Sequence, residues 1–258
     1  MNFYEPVKNK FRKIVSVFFV IAIILNCTVA GLAKSDALID KAKKYYYGQG
    51  VSKNLNMAFK LYRKAAQQGS VDAMFVVGGL YMMGYGTAVN KDEAFKWLYS
   101  AAINGRSSKE SQRILGQFFM AGNGVPQNYE EALRWYTLAA EGGDSEAQSE
   151  LAYIYFSGKN IEQDYEQALY WFTVAAKNGY SLAQYNMGIL WYTGNGVPGA
   201  DIKKSYAWFS VSAANGNASG EAAKAFIETT LGEDELKSAQ EYAMQLYREI
   251  KNVRQVAE

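Results

Sequence analysis

Residues Ser145–Gly179 read SEAQSELAYIYFSGKNIEQDYEQALYWFTVAAKNG, and this stretch decides the fold. Ala147, Leu151, Ala152 and Tyr155 fall at i, i+4, i+5 and i+8, which gathers them into one stripe of an α-helix, here called helix A. Gly158 stops that helix, and Asn160, a residue tolerant of left-handed backbone geometry, occupies the turn. Asp164 is placed to accept hydrogen bonds from free N–H groups and so begin a second helix, helix B. Along helix B, Ala168, Trp171, Phe172, Ala175 and Ala176 make an apolar face, and Gly179 ends it. Two short amphipathic helices cannot hide both apolar faces alone, so the unit requires stacked neighbours.

Those neighbours are present. Aligning on the glycine that closes helix B gives Gly69, Gly105, Gly143, Gly179 and Gly216, at spacings of 36, 38, 36 and 37 residues. Helix B carries Leu61, Trp97, Trp135, Trp171 and Trp208 in one column, and helix A carries Ala42, Gly78, Gly116, Ala152 and Gly188. The Tyr155 column reads Tyr45, Tyr81, Phe119, Tyr155, Trp191, and the helix-B cap column reads Asn54, Asn90, Asn128, Asp164, Asp201. The small column predicts close approach of two helix backbones, and the aromatics fill the space between successive hairpins. Glycines after helix A (Gly48, Gly84, Gly122, Gly158, Gly194) supply the C-terminal turns. Two extra residues around Arg106–Lys109 and one around Gly199–Ala200 fall in connections.

The implied organisation is five repeats over 34–216 (34–69, 70–105, 106–143, 144–179 and 180–216), followed by 217–258. In that last segment, residues 219–230 and about 233–251 read as two helices broken at Gly232. Leu236, Ala239, Tyr242, Ala243 and Leu246 form an apolar stripe suited to a solenoid cap.

Residues 1–33 differ in kind. Lys8, Lys10, Arg12 and Lys13 precede an uncharged, largely apolar run from Ile14 to Ala33, the layout of a secretory signal peptide. At 20 residues the run is also long enough to be an uncleaved anchor, and Cys27 within it raises lipid modification as a third reading. All three predict an exported chain, periplasmic or secreted, or anchored in the inner membrane with 34–258 outside the cytoplasm. Without 1–33, the 27 basic and 25 acidic residues lose four and one, leaving 23 and 24. A near-neutral chain lacks the electrostatic footprint of a nucleic-acid binder. Lys41, Lys43 and Lys44 make a short basic cluster that fits either a solvated face or anionic lipid headgroups.

Chemistry is sparse. The chain has no histidine and one cysteine, which removes the usual general base, the commonest transition-metal ligand and any disulfide framework. The carboxylates Asp144, Glu146, Asp164 and Glu166 sit at helix starts, where the helix dipole favours negative charge. The expectation is no catalytic residue, no metal site and no cofactor.

The pattern A-x3-[LVM]-[GA]-x2-[YFW]-x2-G-x-G-V, then [ND]-x3-A-x2-W-[YF]-x2-A-A-x2-G, resembles the Sel-one-like repeat, a relative of the tetratricopeptide repeat, over about residues 37–216. Asn160, Leu61 and Ser205 depart from it. The resemblance implies an all-α, right-handed α/α superhelical solenoid with C-terminal capping helices, working as a protein-interaction scaffold in the bacterial cell envelope. It also implies a concave groove lined by helix A. The residues that family geometry points there are Tyr46, Met82, Met120, Phe156 and Tyr192, with Arg113, Gln117, Tyr153 and Tyr185 nearby. Tyrosine, methionine and arginine are enriched at interfaces, although spaced apolar residues on a helix also read as core. The implied partner is a protein or peptide, with a possible membrane tether through residues 14–33. Alternatives are an accessory of polysaccharide export, or an envelope enzyme acting on the cell wall or on β-lactams. The enzyme reading lacks its nucleophile, since no serine is followed three residues later by lysine.

Overall fold

A computed structural model describes residues 34–105 and 107–257, with side chains through 252. The segment 1–33, with its apolar run 14–33 and Cys27, and Arg106 lie outside the described residues. Within the described residues all regular structure is helical. The chain divides into two compact units, one ending at Ser107 and one beginning at Ser108.

The first unit contains α1 (34–47), α2 (Leu55–Gln67), α3 (Val71–Met83) and α4 (Lys91–Ile103). The second contains α5 (Lys109–Ala121), α6 (Tyr129–Glu141), α7 (Ser145–Ser157), α8 (Tyr165–Lys177), α9 (Ser181–Thr193), α10 (Ile202–Ala214), α11 (Ala218–Glu228) and α12 (Glu233–Ala257). Odd-numbered helices through α9 are A helices, and even-numbered ones through α10 are B helices. Within each unit consecutive helices pack in order, α2 on α3 and α3 on α4, then α5 through α10 each on the next. Both α11 and α12 pack on α10, and α12 reaches α8.

The punctuation expected from the sequence is in place. Asn54, Asn90, Asn128, Asp164 and Asp201 each cap a B helix, accepting from the backbone N–H three residues on at 2.9–3.0 Å. Gly84, Gly122, Gly158 and Gly194 close A helices in the left-handed conformation. Asn160, at φ 68°, is the one non-glycine residue with positive φ among the described residues. It stands where other repeats have Gly86 and Gly124, because asparagine tolerates this region better than other side chains do.

Packing inside the hairpins adds two details to the expectation. Against the small column stand side chains of the partner helix and, at Gly78, also the Ala94 backbone carbonyl. A Cβ added at Gly78 would meet Leu98 Cγ at 2.5 Å, at Gly116 the Tyr136 ring at 3.0 Å, and at Gly188 the Phe209 ring at 2.5 Å. The tryptophan column is also not the deepest. Trp97 and Trp171 are half-buried, whereas the next residue, Tyr62, Leu98, Tyr136, Phe172 or Phe209, is buried in all five repeats. A 100° step along the helix puts that neighbour in the centre of the hairpin and the indole nearer its rim, where Trp135 and Trp208 are still buried.

Buried amides tie successive repeats together. Gln148 donates from Nε2 to the Ala140 carbonyl at the end of α6, while its Oε1 accepts from Asn178 Nδ2 at the end of α8. Gln184 repeats the arrangement one copy later, donating to the Ala176 carbonyl and accepting from Asn215. Each glutamine thus adds a second bond to a carbonyl at a helix end, beside the one from Gly143 N or Gly179 N. At the C-terminal end Ala239, Ala243, Leu246 and Ile250 of α12 close the core of α8–α10. Leu236 and Tyr242 pack at its edge.

Candidate interaction surfaces

In the first unit, side chains of the A helices α1 and α3, with Tyr62 of α2 and Tyr85 of the turn after α3, border a depression of about 280 Å³. Val76, Gly79, Leu80 and Met83 of α3 make one wall at i, i+3, i+4 and i+7, and Tyr46, Tyr47, Tyr62 and Tyr85 make the rest. Tyr46 and Tyr47 meet edge to face at 5.0 Å. Burial, reinforced by Tyr47, Tyr46 and Asp40, pushes the Tyr62 phenol up to about 12. The open floor belongs to Gly79, where an added Cβ would touch nothing within 4 Å. Of the residues expected here, Tyr46 lines the depression. Met82 does not, because it lies off the Val76–Met83 stripe, and Met83 takes the place beside the tyrosines.

In the second unit the expected residues have varied surroundings. Arg113 is largely enclosed, with Nε 3.3 Å from Asp144 Oδ1 and Nη1 3.1 Å from Glu146 Oε1. Asp144 in turn caps α7 by accepting from Ala147 N at 2.8 Å, so Arg113 on α5 pins the start of the next A helix. Gln117 and Met120 are half-buried. The half-buried Phe156 packs edge-on to Tyr165 at 5.7 Å, and Tyr185 leans on Phe209 at 5.5 Å. Tyr153 is 56% exposed and Tyr192 45% exposed, the most open rings of the set. Glu150, one turn before Tyr153 on α7, was not singled out by sequence. Burial raises its pKa above the ordinary carboxylate range, with Glu146 adding to the effect and Arg113 opposing it.

Sequence reasoning also missed an apolar depression of about 250 Å³ between α10 and α12, lined by Val211, Ala214, Ala243, Met244 and Tyr247. The outward residues of α12 follow no repeat register, so nothing in the columns pointed to it. Among the described residues no group of three or more histidine, cysteine, aspartate or glutamate side chains could hold a metal ion, and no helix is long and apolar enough to cross a membrane.

The Sel1 repeat profile matches five segments of the chain, 40–70, 71–105, 109–144, 145–180 and 181–217. Two solved structures are similar. A protective antigen present in uropathogenic Escherichia coli strains, displaying an SLR fold, is 30% identical with a TM-score of 0.69 over 84% of this chain. This chain spans only 46% of that antigen's length. A Sel1 repeat protein from Oxalobacter formigenes is 29% identical, with a TM-score of 0.67 over 83% of this chain and 84% of its own. No curated protein sequence matches the chain.

Proposed function

The chain belongs to the Sel1 repeat family, whose members are generally protein-interaction scaffolds rather than enzymes, and from that premise we propose that its helix A surface binds another polypeptide. One observation carries the reading: the tyrosine-lined depression over Gly79 in the first unit. Stacking accounts for Tyr62, which fills its hairpin, but it gives no reason for Tyr46, Tyr47 and Tyr85 around an open glycine. Such a pocket accepts a large apolar or aromatic side chain and offers phenol hydroxyls to the backbone beside it, the usual anatomy of an interface anchor. Tyr153 and Tyr192, open to solvent on α7 and α9, are contacts of the same kind in the second unit.

The layout of residues 8–33 supports placing this work in the bacterial cell envelope, with the chain exported and either released or tethered through 14–33. The deciding experiment is affinity capture from native envelopes through a C-terminal tag, comparing the wild-type chain with Gly79→Trp. That substitution adds a ring into open space on a helix, so helical content should be unchanged. A partner captured by the wild type and lost in Gly79→Trp supports the reading. A partner retained at full yield places binding elsewhere, and turnover of a cell-wall or β-lactam substrate by the purified chain would overturn the scaffold assignment.

A further inference from the structure

The five B helices share one register, and comparing their outward faces isolates the first. Lys60, Lys96 and Arg134 occupy the same position in α2, α4 and α6. In α4 and α6 the cation is neutralised by the residue three positions earlier: Glu93 lies 3.0 Å from Lys96 Nζ, and Glu131 lies 3.4 Å from Arg134 Nη1. In α2 that earlier position is the exposed Met57, and Lys60 has no carboxylate beside it among the described residues. Arg63 and Lys64 follow on the same exposed face, also without an acidic partner, and α2 has no acidic residue in its first turn. Arg63 lies over the Phe59 ring at 5.9 Å. Together with Asn56 and Gln67 these cations border a trough of about 560 Å³ closed on its far side by Gly86 and Thr87.

The surrounding charge follows the same asymmetry. Residues 34–69 contain eight basic and two acidic residues, a net +6, whereas residues 70–258 contain 15 basic and 22 acidic, a net −7. The basic repeat is also the one that follows directly on the uncharged apolar run ending at Ala33. A cationic face that begins where an apolar run ends has one natural anionic counterpart, the phosphate layer of a membrane.

We propose that the outward face of α2, through Lys60, Arg63 and Lys64, docks on an anionic phospholipid surface. The net negative charge of residues 70–258 gives them no matching attraction to the same surface, so the first repeat is the part that docks. This face lies on a B helix, apart from the helix A surface proposed above for a polypeptide, and the two readings can fail independently.

The test uses the full-length chain reconstituted with vesicles of phosphatidylglycerol or of phosphatidylcholine, measuring amine-labelling rates at Lys60 and Lys64 by mass spectrometry. The apolar run is common to every sample, so differences report on the cationic face. Labelling of both lysines should slow by about threefold or more on phosphatidylglycerol relative to phosphatidylcholine, and that protection should vanish at about 0.5 M salt. Met57→Glu, which restores the partner present in α4 and α6, should lose most of it without changing the fold. Equal labelling on the two lipids overturns the proposal. So does the same protection from inorganic phosphate without vesicles, which would indicate a site for a free anion, or undiminished protection in Met57→Glu.

Discussion

Asn215 donates from Nδ2 to Oε1 of Gln184 at 2.9 Å, and Gln184 has no solvent-exposed surface. The glutamine's own Nε2 is spent on the Ala176 carbonyl, so one side chain joins the ends of α8 and α10. A leucine of similar volume would remove both bonds, leaving the Ala176 carbonyl to Gly179 N and the Asn215 amide to the Val211 carbonyl alone. At roughly 0.5–1.5 kcal/mol for each lost bond, Gln184→Leu should destabilise the protein by about 1–3 kcal/mol. In urea denaturation, Gln184→Leu combined with Asn215→Ala should cost less than the sum of the singles, since either change breaks the same bond. Strict additivity would mean that the two amides act independently.

Two glycines on A helices should respond to alanine with opposite signs. At Gly188 the new Cβ would lie 2.5 Å from Cδ1 and Cε1 of Phe209, a ring held in the core, and repacking it should cost about 1–3 kcal/mol. At Gly79 the methyl meets nothing, and alanine should stabilise the helix by about 0.5–1 kcal/mol. Thermal melts of the two variants check both.

The exposed tyrosines separate by environment. Tyr153→Ala should change stability by no more than about 0.5 kcal/mol, because its ring stands in solvent. Tyr185→Ala removes the contact with Phe209 and should cost about 1–3 kcal/mol. Partner capture lost in Tyr153→Ala with an unchanged melt would mark Tyr153 as a contact residue. The same loss in Tyr185→Ala must be corrected for unfolded protein.

Glu150 sets a pH dependence. Its folded pKa lies above the unfolded value, chiefly through burial, so the native state holds the proton more tightly. Stability from this group is full below its unfolded pKa and falls as pH rises through the folded one. Glu150→Gln should then raise the melting temperature at pH 7, with the gain shrinking to nothing below about pH 4.3, where the wild-type carboxyl is also protonated. A gain independent of pH would show that the effect lies in packing rather than ionisation.

How far the chain could be read without its structure varied with the kind of residue. Asn128, Asp164 and Gly158 act within a turn or two of their own backbone, so cap and turn chemistry alone placed them. The Gln148 and Gln184 bridges were missed because a glutamine on a helix looks solvent-facing until the neighbouring helix ends are in position. The signal was present in the column Gln112, Gln148, Gln184 together with Asn178 and Asn215 at helix ends. Tyr46 and Met82 both read as groove residues from the repeat register; Tyr46 lines the depression of the first unit, while the methionine that lines it is Met83, about 100° round the helix from Met82. Arg113 was read as a groove residue, and its partners, 31 and 33 positions away, became visible only once α5 and α7 lay side by side.

The sequence by itself determined the repeat count, the helix ends and the all-α class, because periodic apolar positions, caps and left-handed turns are local properties of the chain. Ser145–Gly179 contains all of them, and its neighbours restate them. Tertiary structure decided which residue of each aromatic pair fills the hairpin, which helix start Arg113 pins, and where an open glycine becomes the floor of a pocket. Those outcomes depend on contacts between different helices, such as Gly78 with Leu98 or Arg113 with Asp144, and no spacing along one helix encodes them.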